Sequence, residues 1–222
     1  MLSKNLNKAK KILDPINCYS VTALKSICDE LAANDADLLA IIEQYGYPPA
    51  WTRKPTFETL IHIILEQQVS LASAMAAMQK LKEKLQTITP AALVLLTDAE
   101  LKACYFSRQK IGYARHLAQS IISGELQLHK LNSASNENAK TELKKIKGIG
   151  EWTSDVFLMM ALQRADLFPV GDIALVNSIK KVKNLPKHTS KEAILALAEQ
   201  WKPYRTIAAF LLWHAYLSKR NG

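Results

Sequence analysis

The chain of 222 residues contains little cysteine and little glycine. Its three cysteines, Cys18, Cys28 and Cys104, form no Cys-x-x-Cys pair. This pattern is typical of free thiols in a reducing compartment, and it excludes an iron–sulfur cluster held by four cysteines of this chain. Three of the seven glycines fall within residues 147–172. That window is therefore the first place to look for a backbone with a special task.

Long apolar runs are also missing. No stretch is long enough to span a bilayer, and the polar start of the chain, residues 1–14, has no hydrophobic signal core. We therefore expect an intracellular protein without a membrane partner, cytoplasmic in a bacterium or nuclear in a eukaryote.

Acidic residues are outnumbered by basic ones, 20 to 29, which gives a net charge of +9. The basic residues are spread along the chain rather than gathered in a tail. A folded basic protein suits an anionic partner, most commonly nucleic acid, although an indifferent basic surface gives the same count.

Period-two apolar patterns bounded by hairpin turns are absent, and spacings of three and four dominate. The pattern predicts an all-α protein of about ten short helices. Ser70 is predicted to be a helix N-cap, and residues 205–217 are predicted to form a buried helix. Two stretches, residues 45–55 and 129–140, are predicted to be loops. Capping boxes are expected at two pairs, Thr97 with Glu100 and Thr189 with Glu192.

The glycines Gly148 and Gly150 flank Ile149 between the end of one predicted helix and the start of the next. Glycine permits a tight reversal and lets a large partner approach the backbone, while Ile149 can fill the gap between the helices. The N–H groups that open the second helix suit an anion such as a phosphate. A plain helix–helix turn ended by glycine is the alternative.

The third glycine, Gly171, directly precedes Asp172, and an apolar helix pattern follows. Asp172 by itself is well explained as a helix N-cap.

Residues 143–154 resemble the helix-hairpin-helix signature of the HhH-GPD DNA glycosylase superfamily, with Gly148, Ile149, Gly150 and Thr153 in register. The family's catalytic aspartate follows about 20 residues later, where Asp172 stands. Further stretches resemble the 3-methyladenine DNA glycosylase II branch, and the resemblance extends over residues 35–218. These stretches are residues 57–70, 106–118 and 201–217.

The resemblance implies two helical lobes with a DNA-binding cleft between them, without the N-terminal β domain that some members carry. Residues 57–164 form the central lobe that carries the hairpin. Residues 1–56 and 165–222 form the second lobe. The implied partner is double-stranded DNA, bound by a monomer.

The resemblance also implies the chemistry. Cleaving an N-glycosidic bond leaves positive charge on the sugar, and an ionised Asp172 would stabilise it. The bifunctional branch has a nucleophilic lysine where this chain has Trp152, and Lys147, Lys180 and Lys181 do not match that position. A monofunctional glycosylase is therefore expected. It needs no metal or other cofactor, although the hairpin turn leaves room for a monovalent cation.

Trp152 and Trp213 match two tryptophans of the base pocket in the alkylation-repair branch. An aromatic face attracts a cationic methylated purine by about 0.5–2 kcal/mol. Core packing is the alternative for both rings, and it is the preferred interpretation for Trp51. Some relatives have a third pocket aromatic where this chain has Val156.

Flipping a base leaves a gap in the duplex, and the loop after residue 66 matches the segment that fills it. Gln68 stands at the wedge position and Gln67 beside it, so both are predicted DNA contacts. Helix-end solvation is the alternative for this pair.

Together these residues predict a monofunctional DNA glycosylase for alkylated purines of the 3-methyladenine type, acting in base excision repair. Two alternatives stay open. One is a glycosylase for another base lesion, and the other is a non-catalytic helix-hairpin-helix module that binds DNA.

Overall fold

A computed structural model describes residues 16–221 of the chain. The polar segment 1–14, on which the expectation of no secretory signal rests, lies outside the described residues. None of the helices within residues 16–221 combines the length and the apolar character that a bilayer crossing requires.

Helices account for nearly all the secondary structure of the described residues, which confirms the all-α prediction. Residues 16–221 form twelve α-helices rather than about ten. In chain order, α1 to α12 are Leu24–Asn34, Ala36–Tyr45, Phe57–Glu66, Leu71–Leu85, Pro90–Leu95, Asp98–Ala103, Arg108–Ile122, Asn136–Lys144, Glu151–Met160, Ile173–Val182, Lys191–Ala198 and Arg205–Asn221. The described part of the chain also contains three short 3₁₀ helices, Val21–Ala23, Leu128–Ser133 and Glu199–Trp201.

The helices belong to two compact units. The central unit, Arg53–Leu162, is one continuous stretch and contains α3 to α9. The two-segment unit combines the residues up to Thr52 with those from Gln163 onward, and it contains α1, α2 and α10 to α12. The sequence predicted residues 57 and 164 as the boundaries of the central unit.

Helix α3 organises the central unit, where it packs against α4, α7 and α9. Seven of its side chains are buried, because its apolar residues surround most of the helix. The predicted caps that follow are confirmed. Ser70 accepts the N–H of Ser73 at the start of α4, and Thr97 forms a capping box with Glu100 at the start of α6.

Helix α12 organises the two-segment unit, where it packs against α1, α2 and α10. Its residues 207–213 are all buried, which confirms the predicted buried helix. The two chain segments are also joined by backbone hydrogen bonds. The N–H of Tyr19 donates to the oxygen of Gln163 at 2.8 Å, and the N–H of Ala165 donates to the oxygen of Asn17 at 2.6 Å.

Two local predictions were wrong. The polar stretch 129–140 is not a loop, because most of it lies in the 3₁₀ helix Leu128–Ser133 and in α8. Buried Leu131 and Ala139 anchor these turns, and Ser135 caps α8 by accepting the N–H of Asn138.

The second wrong prediction is the capping box of Thr189 and Glu192. Ser190 caps α11 instead, accepting the N–H of Ala193. The hydroxyl of Thr189 donates to the oxygen of Pro186, within the preceding turn. The cap therefore lies one residue later than the pattern suggested.

Candidate functional site

The glycine turn joins α8 to α9 as the sequence predicted. Gly148 has a φ of 89°, in the left-handed region that favours glycine. The N–H of Ile149 donates to the oxygen of Ile146 at 3.0 Å, and the Ile149 side chain is buried. Gly150 is the N-cap of α9 and makes no side-chain capping bond, so it leaves the first N–H groups of the helix without an acceptor from the N-cap residue.

The two glycines of the turn have different surroundings. A Cβ at Gly148 would fall on the ring of Tyr113, a half-buried residue of α7. A Cβ at Gly150 would meet nothing within 4 Å, and its φ of −105° is open to any residue. The fold of the central unit therefore requires glycine at position 148 but not at position 150.

Gln67, at the end of α3, holds the turn from one side. Its Nε2 donates to the oxygen of Gly148 at 2.8 Å and to Oγ1 of Thr153 at 2.9 Å. Thr153 is buried within α9. The structure thus brings together Gln67, Gly148 and Thr153, which the sequence predicted as DNA contacts. The side chains of Gln67 and Thr153 are hydrogen-bonded to each other.

One face of α7 supports the same region. Lys110 donates from Nζ to the oxygen of Leu65 at 2.7 Å, and burial lowers the pKa of this lysine. One turn later Tyr113 lies against Gly148, and a further turn on Nδ1 of His116 accepts the N–H of Lys147 at 3.1 Å. The spacing of three places all of these side chains on one stripe of the helix.

An ionic network joins the helices on both sides of the turn. Nζ of Lys140 lies 2.8 Å from a carboxylate oxygen of Glu151 and 2.8 Å from one of Asp155, and Lys144 also pairs with Glu151. Burial raises the pKa of Asp155, which Lys140 only partly offsets. Charge pairing of this kind fixes α8 against α9.

The loop between α3 and α4 is exposed. Gln68 has a φ of 56°, and its side chain lies on the surface. Val69, Leu71 and Met75 expose 46%, 57% and 58% of their surface, which is unusual for large apolar residues. The loop therefore presents the amide of Gln68 and the side chain of Val69 to the outside, and the first two turns of α4 add Leu71 and Met75.

Asp172 lies in the two-segment unit as the N-cap of α10, which confirms its local interpretation. Its Oδ1 accepts the N–H of Leu175 at 2.8 Å and Nε1–H of Trp213 at 3.0 Å. The carboxylate is half-buried at the N-terminus of the helix.

The remaining residues considered for the base pocket are Trp51, Trp152, Val156 and Trp213. Trp213 is 7% exposed and stacks on Phe210, while Trp51 meets it edge-on. Trp152 is half-buried in the first turn of α9, in the central unit, and Val156 is buried one turn later.

Sequence reasoning missed three residues. Tyr113 and His116 fall within the stretch 106–118, whose resemblance to the glycosylase branch points to no particular residue. Ile173, directly after Asp172, is 77% exposed, and an apolar side chain at the first position of a predicted helix gives no signal that it faces outward. Within residues 16–221, no three His, Cys, Asp or Glu side chains are grouped so that they could hold a metal ion.

Comparison with known proteins agrees with the geometry. Residues 61–203 match the model of the HhH-GPD superfamily of base excision DNA repair proteins. DNA-3-methyladenine glycosylase 1 of Schizosaccharomyces pombe is 30% identical over 198 residues, which cover 87% of each chain. The putative DNA-3-methyladenine glycosylase YfjP of Bacillus subtilis is 30% identical over 186 residues, 80% of this chain but 65% of that protein.

A solved structure shows the same similarity in three dimensions. The S. pombe 3-methyladenine DNA glycosylase Mag1, in complex with abasic DNA, superimposes with a TM-score of 0.78 at 29% identity. The match covers 85% of this chain and 95% of that one. The chain belongs to the HhH-GPD superfamily of base excision DNA repair proteins.

Proposed function

We propose that this chain is a monofunctional DNA glycosylase that hydrolyses the N-glycosidic bond of alkylated purines, of the 3-methyladenine type, in double-stranded DNA. The observation that carries the proposal is the Asp172 carboxylate, held at the start of α10 by two N–H donors. It stands in a chain whose relatives are named DNA-3-methyladenine glycosylases.

The reaction breaks the bond between C1′ of the sugar and the purine nitrogen. The bonding electrons leave with the base, which neutralises the positive charge of an N3- or N7-methylated purine. C1′ gains oxocarbenium character, which the negative charge of Asp172 stabilises. Water then adds its oxygen to C1′ and gives up a proton to the solvent, so that an abasic sugar remains.

We assign binding of the DNA backbone to the hairpin. The first N–H groups of α9 and its helix dipole attract a phosphate, and Gly150 leaves the approach free of a side chain. Such contacts carry no base sequence. This suits an enzyme that must inspect any site where damage occurs.

Recognition of the lesion requires little discrimination by hydrogen bonds, because alkylation has already weakened the glycosidic bond. We assign base stacking to Trp152, since a cationic purine gains about 0.5–2 kcal/mol over an aromatic face. Trp152→Ala should therefore slow release of 3-methyladenine.

The test is a base-release assay with duplexes that contain 3-methyladenine or 7-methylguanine. Wild type should release the base, while Asp172→Asn should lose at least about 100-fold in rate, as preorganised charge-stabilising groups commonly contribute. Its affinity for the duplex should stay within about twofold. Release of a different lesion alone would favour another glycosylase, and tight binding without any release would favour a non-catalytic module. Equal rates for the mutant would remove Asp172 from the mechanism.

The monofunctional assignment has its own experiment. At the position of the nucleophilic lysine of bifunctional relatives, Trp152 offers no amine. Wild type incubated with lesion DNA and borohydride should form no covalent adduct, and abasic strands should stay uncut until alkali is added. An efficient adduct would show that another amine, such as Lys147, attacks the sugar.

The proposal includes a monomer that acts where a cell keeps its DNA, the cytoplasm of a bacterium or the nucleus of a eukaryote. It includes no cofactor. The hairpin turn keeps room for a monovalent cation, because the carbonyl oxygens of Ile146 and Gly148 each accept one hydrogen bond and have a second lone pair. Light scattering of the DNA complex tests the monomer, and replacing potassium by tetramethylammonium tests the cation.

A further inference from the structure

Asp172 has a side-chain partner that its role as a helix cap does not require. The backbone N–H of Leu175 alone would satisfy the cap at 2.8 Å. The second donor, Nε1 of Trp213, reaches the same oxygen at 3.0 Å from another helix, 41 positions along the chain. Two donors on one oxygen fix the rotation of the carboxylate as well as its position.

Trp213 is itself held rigidly. Its ring stacks on Phe210 with centroids 5.9 Å apart and planes inclined by 25°, and Trp51 lies edge-on at 6.3 Å. The residue belongs to the buried part of α12, which packs against α10. Because the ring is fixed by the core, the direction of its N–H is fixed as well.

We propose that Trp213 is the positioning residue of Asp172, acting through its indole N–H rather than as a surface for the flipped base. The inference rests on the proposed function. A charge-stabilising group that is already oriented needs no reorganisation when the oxocarbenium ion forms. A ring whose neighbours are Phe210 and Trp51 contributes little stacking surface to a ligand.

The same unit contains a second pair of this kind, which serves as a control. Asp35 caps α2, and Nε1 of Trp201 donates to its Oδ2 at 2.8 Å. Trp201 is also buried, at 2% exposure. Trp201→Phe therefore removes an indole N–H from an aspartate cap without touching Asp172.

The experiment compares Trp213→Phe with Trp201→Phe in single-turnover release of 7-methylguanine. Displacing a reacting group slightly costs on the order of 100-fold, so Trp213→Phe should lose about 10- to 100-fold in rate at saturating enzyme. Trp201→Phe should lose less than about twofold, whatever its thermal stability. Replacing Trp213 by 3-benzothienylalanine exchanges N–H for sulfur in a ring of nearly the same size, so it should reproduce the loss of rate even if Trp213→Phe folds poorly.

Binding separates positioning from base stacking. In an Asp172→Asn background, a duplex with 7-methylguanine on a 2′-fluorinated sugar resists hydrolysis and keeps its charge. Adding Trp213→Phe should leave the preference for this lesion over undamaged DNA unchanged within about twofold. A parallel loss of that preference would show that Trp213 stacks on the base. An unaltered release rate in both Trp213 variants would also overturn the inference, whereas an inactive wild type would instead refute the proposed function.

A spectroscopic signature completes the test. Asp172→Asn should move the indole ¹H–¹⁵N resonance of Trp213 and leave that of Trp201 in place, and Asp35→Asn should do the reverse. If the chemical shift of the Trp213 indole stays unchanged in Asp172→Asn, the hydrogen bond does not exist in solution.

Discussion

At the scale of single residues, Gly148 and Gly150 have opposite reasons to be glycine. Gly148 combines a positive φ with the Tyr113 ring beneath it, whereas Gly150 has an ordinary backbone and open space around it. The first requirement is internal to the fold. The second has no internal cause, which is why we attribute it to the approaching DNA backbone.

Alanine substitutions should separate these two reasons. Gly148→Ala should lower the free energy of unfolding by about 1–3 kcal/mol, because a methyl group is forced into the Tyr113 ring. Gly150→Ala should cost less than about 1 kcal/mol, the modest penalty of a poorer N-cap, yet weaken binding to every duplex. Urea unfolding and DNA titration measure the two effects.

The matched control is Gly112→Ala on the exposed side of α7, where a Cβ also meets nothing within 4 Å. It should raise stability by about 1 kcal/mol, since alanine is the better helix former, without changing DNA affinity. Full DNA affinity in Gly150→Ala would contradict the phosphate assignment.

Gln68 is a residue under backbone strain in an exposed loop. A side chain in the left-handed region costs roughly 1 kcal/mol relative to glycine, and nothing in the core demands glutamine there. Gln68→Gly should therefore leave the free energy of unfolding unchanged or raise it by up to about 1 kcal/mol. Base release should nevertheless fall about tenfold if Gln68 fills the gap left by the flipped base.

Gln68→Asn is the comparison, because asparagine tolerates the same backbone region and keeps a shorter amide. Its rate should lie between those of wild type and Gln68→Gly. Thermal unfolding and single-turnover release give both quantities. Undiminished release in Gln68→Gly would assign the gap to a neighbour such as Val69.

For single residues, the sequence predicted which positions are important better than it predicted their contacts. Asp172 was predicted as a helix N-cap, which the structure confirms, and its catalytic role, implied by the resemblance, stays a prediction. The hydrogen bond from Trp213 joins residues 41 positions apart, and the one from Gln67 to Gly148 spans 81 positions. No local pattern encodes such contacts, because they depend on how α10 packs on α12 and α3 on α9.

At the scale of helices, the hairpin is held by elements distant in sequence. The end of α3 contributes Gln67, and the stripe on α7 contributes Tyr113 and His116. The turn between α8 and α9 is therefore set before DNA arrives. Preorganisation of this kind reduces the conformational entropy that binding must overcome.

Gln67→Glu tests that arrangement with almost no change in size. The carboxylate loses both N–H donors and faces the carbonyl oxygen of Gly148 and the hydroxyl of Thr153. We expect faster amide hydrogen exchange in residues 146–154 and about tenfold weaker DNA binding, since about 1.4 kcal/mol corresponds to tenfold in affinity. Gln119→Glu adds the same charge on the exposed side of α7 and should leave hydrogen exchange at the hairpin unchanged.

Helix boundaries show what sequence periodicity could and could not predict. Helices that are apolar over most of their circumference, such as α3 and α12, were predicted correctly. Residues 129–140 were not predicted as helical, because polar residues outnumber the two buried apolar ones, Leu131 and Ala139. The burial of these two side chains depends on the packing of the whole unit. The cap of α11 was misplaced because Thr189 and Ser190 are both good capping residues, and only the bond of Thr189 to Pro186 decides between them.

At the scale of the whole molecule, a charge cluster around the buried Asp35 predicts how stability depends on pH. Lys183 donates to Asp35 at 2.6 Å and to Asp37 at 2.9 Å. Burial alone raises the pKa of Asp35, but the hydrogen bonds from Lys183 and Trp201 outweigh it and leave the pKa below its ordinary value of 3.8. Stability that depends on ionised Asp35 is therefore present above pH 3.8 and is lost as the pH falls through the lower, folded-state pKa.

Asp35→Asn should remove this dependence. At pH 7 the variant should be less stable by about 3 kcal/mol, because Lys183 loses a buried partner. Below pH 4 its free energy of unfolding should fall less steeply than that of wild type. Urea unfolding between pH 7 and pH 2.5 measures both, and Asp37→Asn, which changes a far more exposed carboxylate, should keep the wild-type slope.

The two-segment unit has a consequence for how the protein is made. Helices α1 and α2 are translated early, yet their packing partner α12 is encoded at the other end of the chain. At about 5–20 residues per second, the ribosome needs roughly 10 to 30 seconds to supply it, and the intervening central unit is complete before then. During that interval the apolar sides of α1 and α2 are exposed to chaperones and proteases, so the nascent chain passes through a vulnerable stage that the finished enzyme does not share.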